Sequence, residues 1–236
     1  MIWGIVAAYY ILLGLPKKNT QNLLKTSIAL TASIYVKLIP VLLIPFLWRR
    51  LGWSRFFALC GMIGLMILLF ALPFINSSAA DGPTDSLDLY FHTFEFNAGF
   101  YYVFRWLGFL WKDYNMIATI GTATSLLTVA LLAALFFFEK KPVIKNWPRI
   151  ALFALTTYFM LASIVHPWYI CGLVALVPFT SFRYPIVWSA MAFLSYSAYR
   201  VNPVQENLWL VGLEYVVVIG FLIWEGWRSR GVHCRP

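Results

Sequence analysis

Four consecutive residues, His166-Pro167-Trp168-Tyr169, join two apolar stretches of the chain (150–165 and 170–182). A histidine, a proline and two amphipathic aromatic residues stand where a membrane segment would continue with aliphatic residues. Polar groups at membrane depth are costly unless they line a cavity or find partners, so this tetrad is a candidate binding site. The alternative is an aromatic belt at the membrane interface, with the proline at a helix end.

A lysine, Lys37, lies in the middle of another apolar stretch, residues 21–47, three residues before Pro40. An ammonium group in that position needs water or an anion, and a lipid-linked phosphate would supply the anion. The alternative is a lysine that snorkels to the nearer interface. The central position of Lys37 favours the anion-binding role.

Glu95 and Asn97 stand among the aromatic residues of the segment 90–106. Carbohydrate sites combine aromatic faces with carboxylates and amides, because sugars present both apolar and hydrogen-bonding surfaces. The alternative is ordinary interfacial packing, where tyrosine and phenylalanine are enriched. The segment therefore predicts a sugar-binding surface only in combination with other features.

The other ionisable and sulfur-containing residues predict no catalytic centre. Glu214 lies about two turns into the last apolar segment, where a structural ion pair with Arg200 is expected. Three aspartates with metal-like spacing (Asp81, Asp85 and Asp88) indicate a solvated acidic segment. The three cysteines show neither disulfide nor zinc spacing. Neither a metal site nor a cofactor is predicted.

The elements that hold these residues are membrane segments. The chain is 61% hydrophobic and only 11% charged, against about 25% charged residues in soluble domains. Its net charge of +9 does not indicate nucleic acid as a partner, because the basic residues are dispersed over the loops. The composition predicts an all-α, polytopic membrane helix bundle that forms one transmembrane domain over residues 1–236.

Apolar segments occur at 2–15, 21–47, 54–74, 115–138, 149–165, 169–182, 185–200 and 208–224. One large loop, residues 75–113, separates the third from the fourth and carries an aromatic stretch at 100–106. That stretch has the pattern of an amphipathic helix lying at the interface. A long loop with so many aromatic residues is expected to be ordered and functional.

The basic residues orient the segments. Fourteen of the eighteen Lys and Arg residues fall in alternate connections between the segments. The four exceptions are Lys37, Arg105, Lys112 and Arg200. By the positive-inside rule those connections face the cytoplasm. The loop 75–113, the tetrad and the loop 201–207 then face the external side.

Three segments depart from simple spans. Segment 21–47 has basic residues at both ends, which favours a hairpin of two short helices broken at 37–40 over one tilted span. Segments 169–182 and 185–200 are shorter than the roughly twenty residues that a span requires. They are expected either to cross a thinned region or to enter the bilayer without crossing it.

Three stretches of the chain resemble the polytopic glycosyltransferases of the GT-C class, especially the glycosyltransferase family 87 type. Residues 33–45, with Lys37, Pro40 and Pro45 and the basic pair at 49–50, are similar to a lysine–proline pattern of that family. Residues 94–102 are similar to an aromatic–asparagine segment of its large external loop, and the tetrad is similar to its Pro-Trp-Tyr turn. The resemblance covers most of residues 20–200.

The resemblance implies a multi-pass mannosyltransferase of a bacterial inner (plasma) membrane that takes sugar from a polyprenyl-phosphate donor at the external leaflet. The implied acceptor is a lipid or a glycan. Family members have further spans and an acidic loop before the matched region, so the resemblance implies a C-terminal portion without catalytic activity of its own. The residues expected to bind substrate are Lys37, Glu95, Asn97, Tyr101, Arg105, His166, Trp168 and Tyr169.

Two other functions are compatible with the sequence. In a lipid or solute transporter, Lys37 and Glu214 would bind substrate or coupling ions near the midplane of the membrane. Transporters of that kind usually show internal repeats, and the sequence shows none. In a non-catalytic membrane subunit, the same residues would serve packing alone.

Overall fold

The computed structural model describes residues 1–13, 20–74, 94–200 and 205–232. Within these ranges the chain is helical and contains no β-strand, which confirms the all-α prediction. The acidic segment at 81–88 and the lysines at 17 and 18 lie outside the described residues.

The described part contains ten α-helices. They are α1 (Ile2–Leu13), α2 (Thr20–Val36), α3 (Pro45–Leu51), α4 (Trp53–Ala71), α5 (Gly99–Lys112), α6 (Ile117–Phe138), α7 (Trp147–Leu161), α8 (Pro167–Val174), α9 (Tyr184–Met191) and α10 (Leu208–Val232). Short 3₁₀ turns follow or connect several of them, at Ile39–Leu43, Leu72–Phe74, Ile144–Asn146, Val177–Phe179 and Ala192–Arg200.

Three of these helices are long and apolar enough to cross a membrane, over Trp53–Ala71, Ile117–Phe138 and Leu208–Arg228. Few residues in these stretches are buried inside the protein. Apolar side chains on the outside of a helix are stable only in a hydrocarbon environment or against a partner. The chain is therefore an integral membrane protein, as its composition predicts.

The chain divides into two compact units, 1–87 with 130–155 (unit 1) and 88–129 with 156–236 (unit 2). In unit 1, α2 packs against both α1 and α4. Helix α1 approaches α2 closely at Gly4, where a Cβ would lie 2.5 Å from the carbonyl oxygen of Ala29. Small residues allow membrane helices to approach in this way when hydrophobic collapse gives no advantage.

The break predicted near Lys37 is present in unit 1. Helix α2 ends at Val36, a 3₁₀ turn covers Ile39–Leu43, and α3 starts at Pro45. Pro40 and Pro45 each stand in the first turn of the element that follows the break, where a missing N–H costs nothing. The broken helix is thus confirmed, whereas the cytoplasmic location of both ends stays a prediction.

Two arginines at the end of α3 bind the end of α6 within unit 1. Arg49 donates to the carbonyl oxygens of Phe136 and Glu139, at 2.7 and 3.0 Å. The Arg50 side chain is buried, forms an ion pair with the Glu139 carboxylate and donates to the Val143 carbonyl. The last carbonyls of a helix have no partner within the helix, so these arginines cap the C-terminus of α6.

In unit 2, the apolar segments predicted at 169–182 and 185–200 form only eight-residue α-helices, α8 and α9, which end in 3₁₀ turns. An eight-residue helix is about 12 Å long, less than half the thickness of the hydrocarbon core. Neither α-helix is by itself long enough to cross a membrane. Both pack inside the unit, α9 against α8 and α10.

A carboxylate on α10 fixes the start of α9. Glu225 accepts hydrogen bonds from the backbone N–H groups of Arg183 and Tyr184, at 2.8–2.9 Å. A negative charge at a helix N-terminus satisfies free donors and is favoured by the helix dipole. The last span thereby anchors the short helix beside it.

Candidate functional site

Two predicted site segments meet in unit 2 through their backbones. Phe96 donates to the carbonyl of Ser163 at 2.9 Å and accepts from the N–H of Val165 at 2.8 Å. These bonds make an isolated parallel bridge between Phe96 and Ile164. The segment before α5 therefore lies directly beside the segment that leads into the tetrad.

The tetrad is the start of α8. Pro167 occupies the first turn of the helix and His166 precedes it in extended conformation, an arrangement that suits a residue before proline. The rings of His166 and Trp168 stack with their centroids 4.3 Å apart, and Phe96 lies 4.8 Å from His166. The indole of Trp168 is half exposed, whereas Tyr169 is buried. We call Phe96, His166 and Trp168 the aromatic wall.

Asn97 is fully buried and connects the segment before α5 to α10 and the residues before it. Its backbone N–H donates to Glu206 at 2.6 Å, its amide Nδ2 donates to Glu214 at 3.2 Å, and its carbonyl accepts from the Tyr215 hydroxyl at 2.8 Å. It adopts a left-handed conformation with φ of 48°, which asparagine tolerates better than most residues. The backbone turn thus directs three polar groups to three different partners.

Glu214 is fully buried within the last membrane span. Its Oε1 accepts from Asn97 and from the indole nitrogen of Trp188, the latter at 2.9 Å. The sequence suggested an ion pair with Arg200, but Arg200 is exposed and the partners that unit 2 supplies are an amide and an indole. Among the described residues, Glu214 Oε2 and Asn97 Oδ1 have no hydrogen-bond partner.

A second group of polar residues lies along α5. Arg105 forms an ion pair with Glu95, and its guanidinium lies 4.5 Å from the ring centroid of Tyr102. Tyr101, by contrast, is fully buried. Burial raises the pKa of the Tyr101 phenol, and the nearby charge of Glu95 adds to the rise. Tyr101 therefore stays protonated and lies beneath the surface of the site.

Glu206 joins these two groups. It accepts from the Asn97 N–H and from the Tyr102 hydroxyl. Burial raises the pKa of Glu206 from 4.5 to about 7, with further contributions from the charges of Glu95 and Glu214, and the Asn97 hydrogen bond opposes the rise. We call Glu95, Asn97, Arg105, Glu206 and Glu214 the polar cluster.

The stability of unit 2 is expected to depend on pH through Glu206. A carboxyl group with a raised pKa holds a proton in the folded state that the unfolded chain has already lost, so stability falls as pH rises from 4.5 through 7. After allowance for partial exposure, the loss should be about 2 kcal/mol. Thermal unfolding of the purified protein between pH 5 and 8 measures it.

Glu206→Gln should flatten this pH dependence, since the amide cannot ionise. Asp113→Asn, at an exposed position after α5, is the matched control and should leave the slope in place. A slope that is equal in the native protein and in Glu206→Gln would assign the pH dependence to another group.

Most of the predicted site residues come together in unit 2. Glu95, Asn97, Tyr101 and Arg105 gather around the start of α5, and His166, Trp168 and Tyr169 are joined to them by the Phe96 bridge. Lys37 belongs to unit 1, where it lies half-buried at the break after α2. A role for Lys37 together with these residues stays a prediction.

Sequence reasoning missed Glu206, Trp188 and Tyr215. Of these three, only Glu206 could have been noticed in the sequence. It is an acidic residue directly before a long apolar segment, in a chain with only nine Asp and Glu residues. The importance of Trp188 and Tyr215 depends on contacts with residues far away in sequence, which no local pattern records.

The polar cluster suits a ligand that donates hydrogen bonds. Its partly exposed carboxylates, Glu95 and Glu206, present acceptor oxygens, and Glu206 has no cation within the cluster. Among the described residues no three His, Cys, Asp or Glu side chains assemble as metal ligands. Hydroxyl groups would fit such a site, because each can donate to a carboxylate or an amide oxygen.

Comparison with known proteins gives no match: no family model, no curated protein and no solved structure is similar to this chain.

Proposed function

We propose that this chain functions in sugar transfer at a membrane, of the mannosyltransferase type, and that unit 2 binds a polyprenyl-phosphate-linked sugar. The observation that carries the proposal is the Phe96 bridge, which joins the aromatic wall to the polar cluster. The half-exposed indole of Trp168 and the partly exposed carboxylates of Glu95 and Glu206 offer both kinds of surface that a sugar ring requires. The resemblance to GT-C enzymes supports the same function from the sequence.

The aromatic wall would contact the apolar face of the sugar. The polar cluster would accept hydrogen bonds from the sugar hydroxyl groups. In the transfer, the bond between the anomeric carbon and the phosphate oxygen breaks, and the phosphate leaves with the electron pair. An acceptor hydroxyl, on a lipid or glycan, forms the new bond and gives up its proton to a base. We assign binding to unit 2 and leave the base unassigned.

A cation near the leaving phosphate would stabilise its charge. Arg105 is already paired with Glu95, so we leave this cation unassigned. The charge pattern of the loops supports a multi-pass protein of a bacterial inner (plasma) membrane, with the polar cluster on the external side.

A binding assay tests the proposal. The purified chain in lipid nanodiscs should bind labelled polyprenyl-phosphate-mannose more tightly than polyprenyl phosphate without sugar. Trp168→Ala should weaken binding of the mannose donor at least about tenfold, a loss of about 1.4 kcal/mol, because an exposed aromatic anchor is removed. The double variant His166→Ala/Trp168→Ala should bind the mannose donor no more tightly than Trp168→Ala.

Trp227→Ala is the matched control, since it removes another exposed indole, at the far end of α10. It should leave binding unchanged. Equal donor binding by the native chain and both tetrad variants would remove the aromatic wall from the site, and no preference for the sugar-bearing lipid would refute the proposed function.

Glu214 favours a second candidate, a lipid or solute transporter. Its carboxylate is buried in a membrane span, and one of its oxygens has no hydrogen-bond partner in the part of the chain that the structure describes. Buried ionisable residues in membrane spans commonly mark ion and substrate pathways. Proteoliposomes that take up substrate in response to a proton gradient, and lose the response with Glu214→Gln, would support this function over sugar transfer.

A further inference from the structure

An apolar groove runs between α5 and α10 in unit 2, with a volume of about 480 Å³. This lies within the range of about 300–1,000 Å³ that is usual for ligand sites. Its walls are formed by Phe100, Val103 and Trp106 of α5 and by Leu208, Gly212 and Val216 of α10. The groove is open on one side, so a ligand can enter it laterally, between α5 and α10.

The outward face of α5 is apolar. Val103, Trp106 and Leu110 are largely exposed. Tyr101 is fully buried, and the Arg105 side chain is mostly covered where it pairs with Glu95. A helix that turns its polar residues inward and its apolar residues outward is stable beside hydrocarbon rather than water. The groove along this helix therefore opens toward lipid.

The length of the groove matches one leaflet of a membrane. Along α10 it extends from Leu208 to Ile219, which at 1.5 Å per residue is roughly 17 Å. The hydrocarbon core of a bilayer is about 30 Å thick, so each leaflet contributes about 15 Å. A hydrocarbon chain that lies along α10 would cross the leaflet next to Leu208 and end near the midplane.

Two residues that line the groove also form hydrogen bonds with the polar cluster. Tyr102 and Tyr215 both line the groove, and their hydroxyls donate to Glu206 and to the Asn97 carbonyl. Each tyrosine thus presents its ring to the groove and its hydroxyl to the cluster. A molecule with an apolar chain and a hydroxyl-rich head would contact both parts at once.

We infer that the groove between α5 and α10 binds the isoprenoid chain of the lipid donor and thereby aligns its sugar with the polar cluster. The inference rests on the proposed function and adds to it the subsite that holds the chain. Gly212 lines this subsite, and a Cβ at that position would meet no atom within 4 Å, so a larger side chain there would extend into free space.

Substitution of Gly212 tests the inference. Gly212→Leu would place a side chain in the groove without a clash in the protein. It should weaken binding of long-chain polyprenyl-phosphate-mannose at least tenfold in nanodiscs. Binding of a water-soluble mannosyl phosphate with a chain of one isoprene unit should change less than twofold, because that analogue does not reach along the groove.

Gly220→Leu is the matched control. It makes the same change in the same helix at a position that also has open space around it and does not line the groove. It should leave both affinities unchanged. Val103→Trp narrows the groove from α5 and should reproduce the effect of Gly212→Leu, so the test does not depend on the folding of one variant.

Each other result contradicts the inference. Unchanged long-chain binding in both groove variants would overturn it and leave the proposed function in place. Absence of mannose-dependent binding by the native chain, with either probe, would refute the proposed function and the inference together. Loss of a dimer in Gly212→Leu, with donor binding unchanged, would show that a second copy of the chain occupies the groove.

Discussion

Asn97→Ala should destabilise the protein by about 3 kcal/mol and abolish donor binding. The variant removes the amide that donates to the buried Glu214 carboxylate, a loss of about 1.5–3 kcal/mol for a hydrogen bond to a charged group. It also leaves alanine at a φ of 48°, which costs a further 1–2 kcal/mol or so. Thermal unfolding and the nanodisc binding assay measure the two effects.

Asn97→Gly separates the two causes, because glycine adopts a positive φ without strain. It should recover about 1 kcal/mol of the stability and none of the binding. Asn115→Ala removes an exposed amide close to the same cluster and should change stability by less than about 0.5 kcal/mol. An Asn97→Ala protein as stable as Asn115→Ala would contradict the role assigned to this residue.

Glu139→Ala should have the largest effect on stability in unit 1, a loss of about 3–5 kcal/mol. The Arg50 side chain has no exposed surface, so removal of its carboxylate partner leaves an uncompensated charge inside the protein. For a chain of this length the melting temperature should fall by roughly 10 °C. Scanning fluorimetry in a mild detergent detects a change of that size.

Two comparisons show whether the effect comes from the unpaired charge. Lys140→Ala removes the neighbouring exposed charge and should shift the melting temperature by no more than about 2 °C. Arg50→Met/Glu139→Leu removes both charges and should be more stable than Glu139→Ala, because no buried charge is left without its partner. A double variant as unstable as the single one would assign the effect to packing.

The sequence contained the main features of the fold. The break after Val36 follows from a lysine and two prolines inside an apolar stretch, because these residues disturb a membrane helix locally. The helix at 99–112 was recognised in part from its aromatic pattern, over 100–106. Its true end is a left-handed turn at Asp113, which hydrophobic periodicity does not mark.

Site residues could be predicted only where their type differs from that of their neighbours in the sequence. Glu95, Asn97, His166 and Trp168 stand out as polar or aromatic residues in apolar surroundings, and the structure brings them together. The partner of Glu214 was predicted incorrectly because Arg200 is near in sequence, whereas Asn97 is 117 residues away. Contacts at that separation depend on how the helices pack, which a single sequence does not record.

The Phe96 bridge also has a mechanical consequence. Two backbone hydrogen bonds join the segment before α5 to the segment before α8, so a displacement of one is transmitted to the other whatever side chains they carry. These main-chain hydrogen bonds thus help to set the spacing between the aromatic wall and the polar cluster. A proline at 96 or 165 would remove one of the two donors and would let the two halves of the site drift apart.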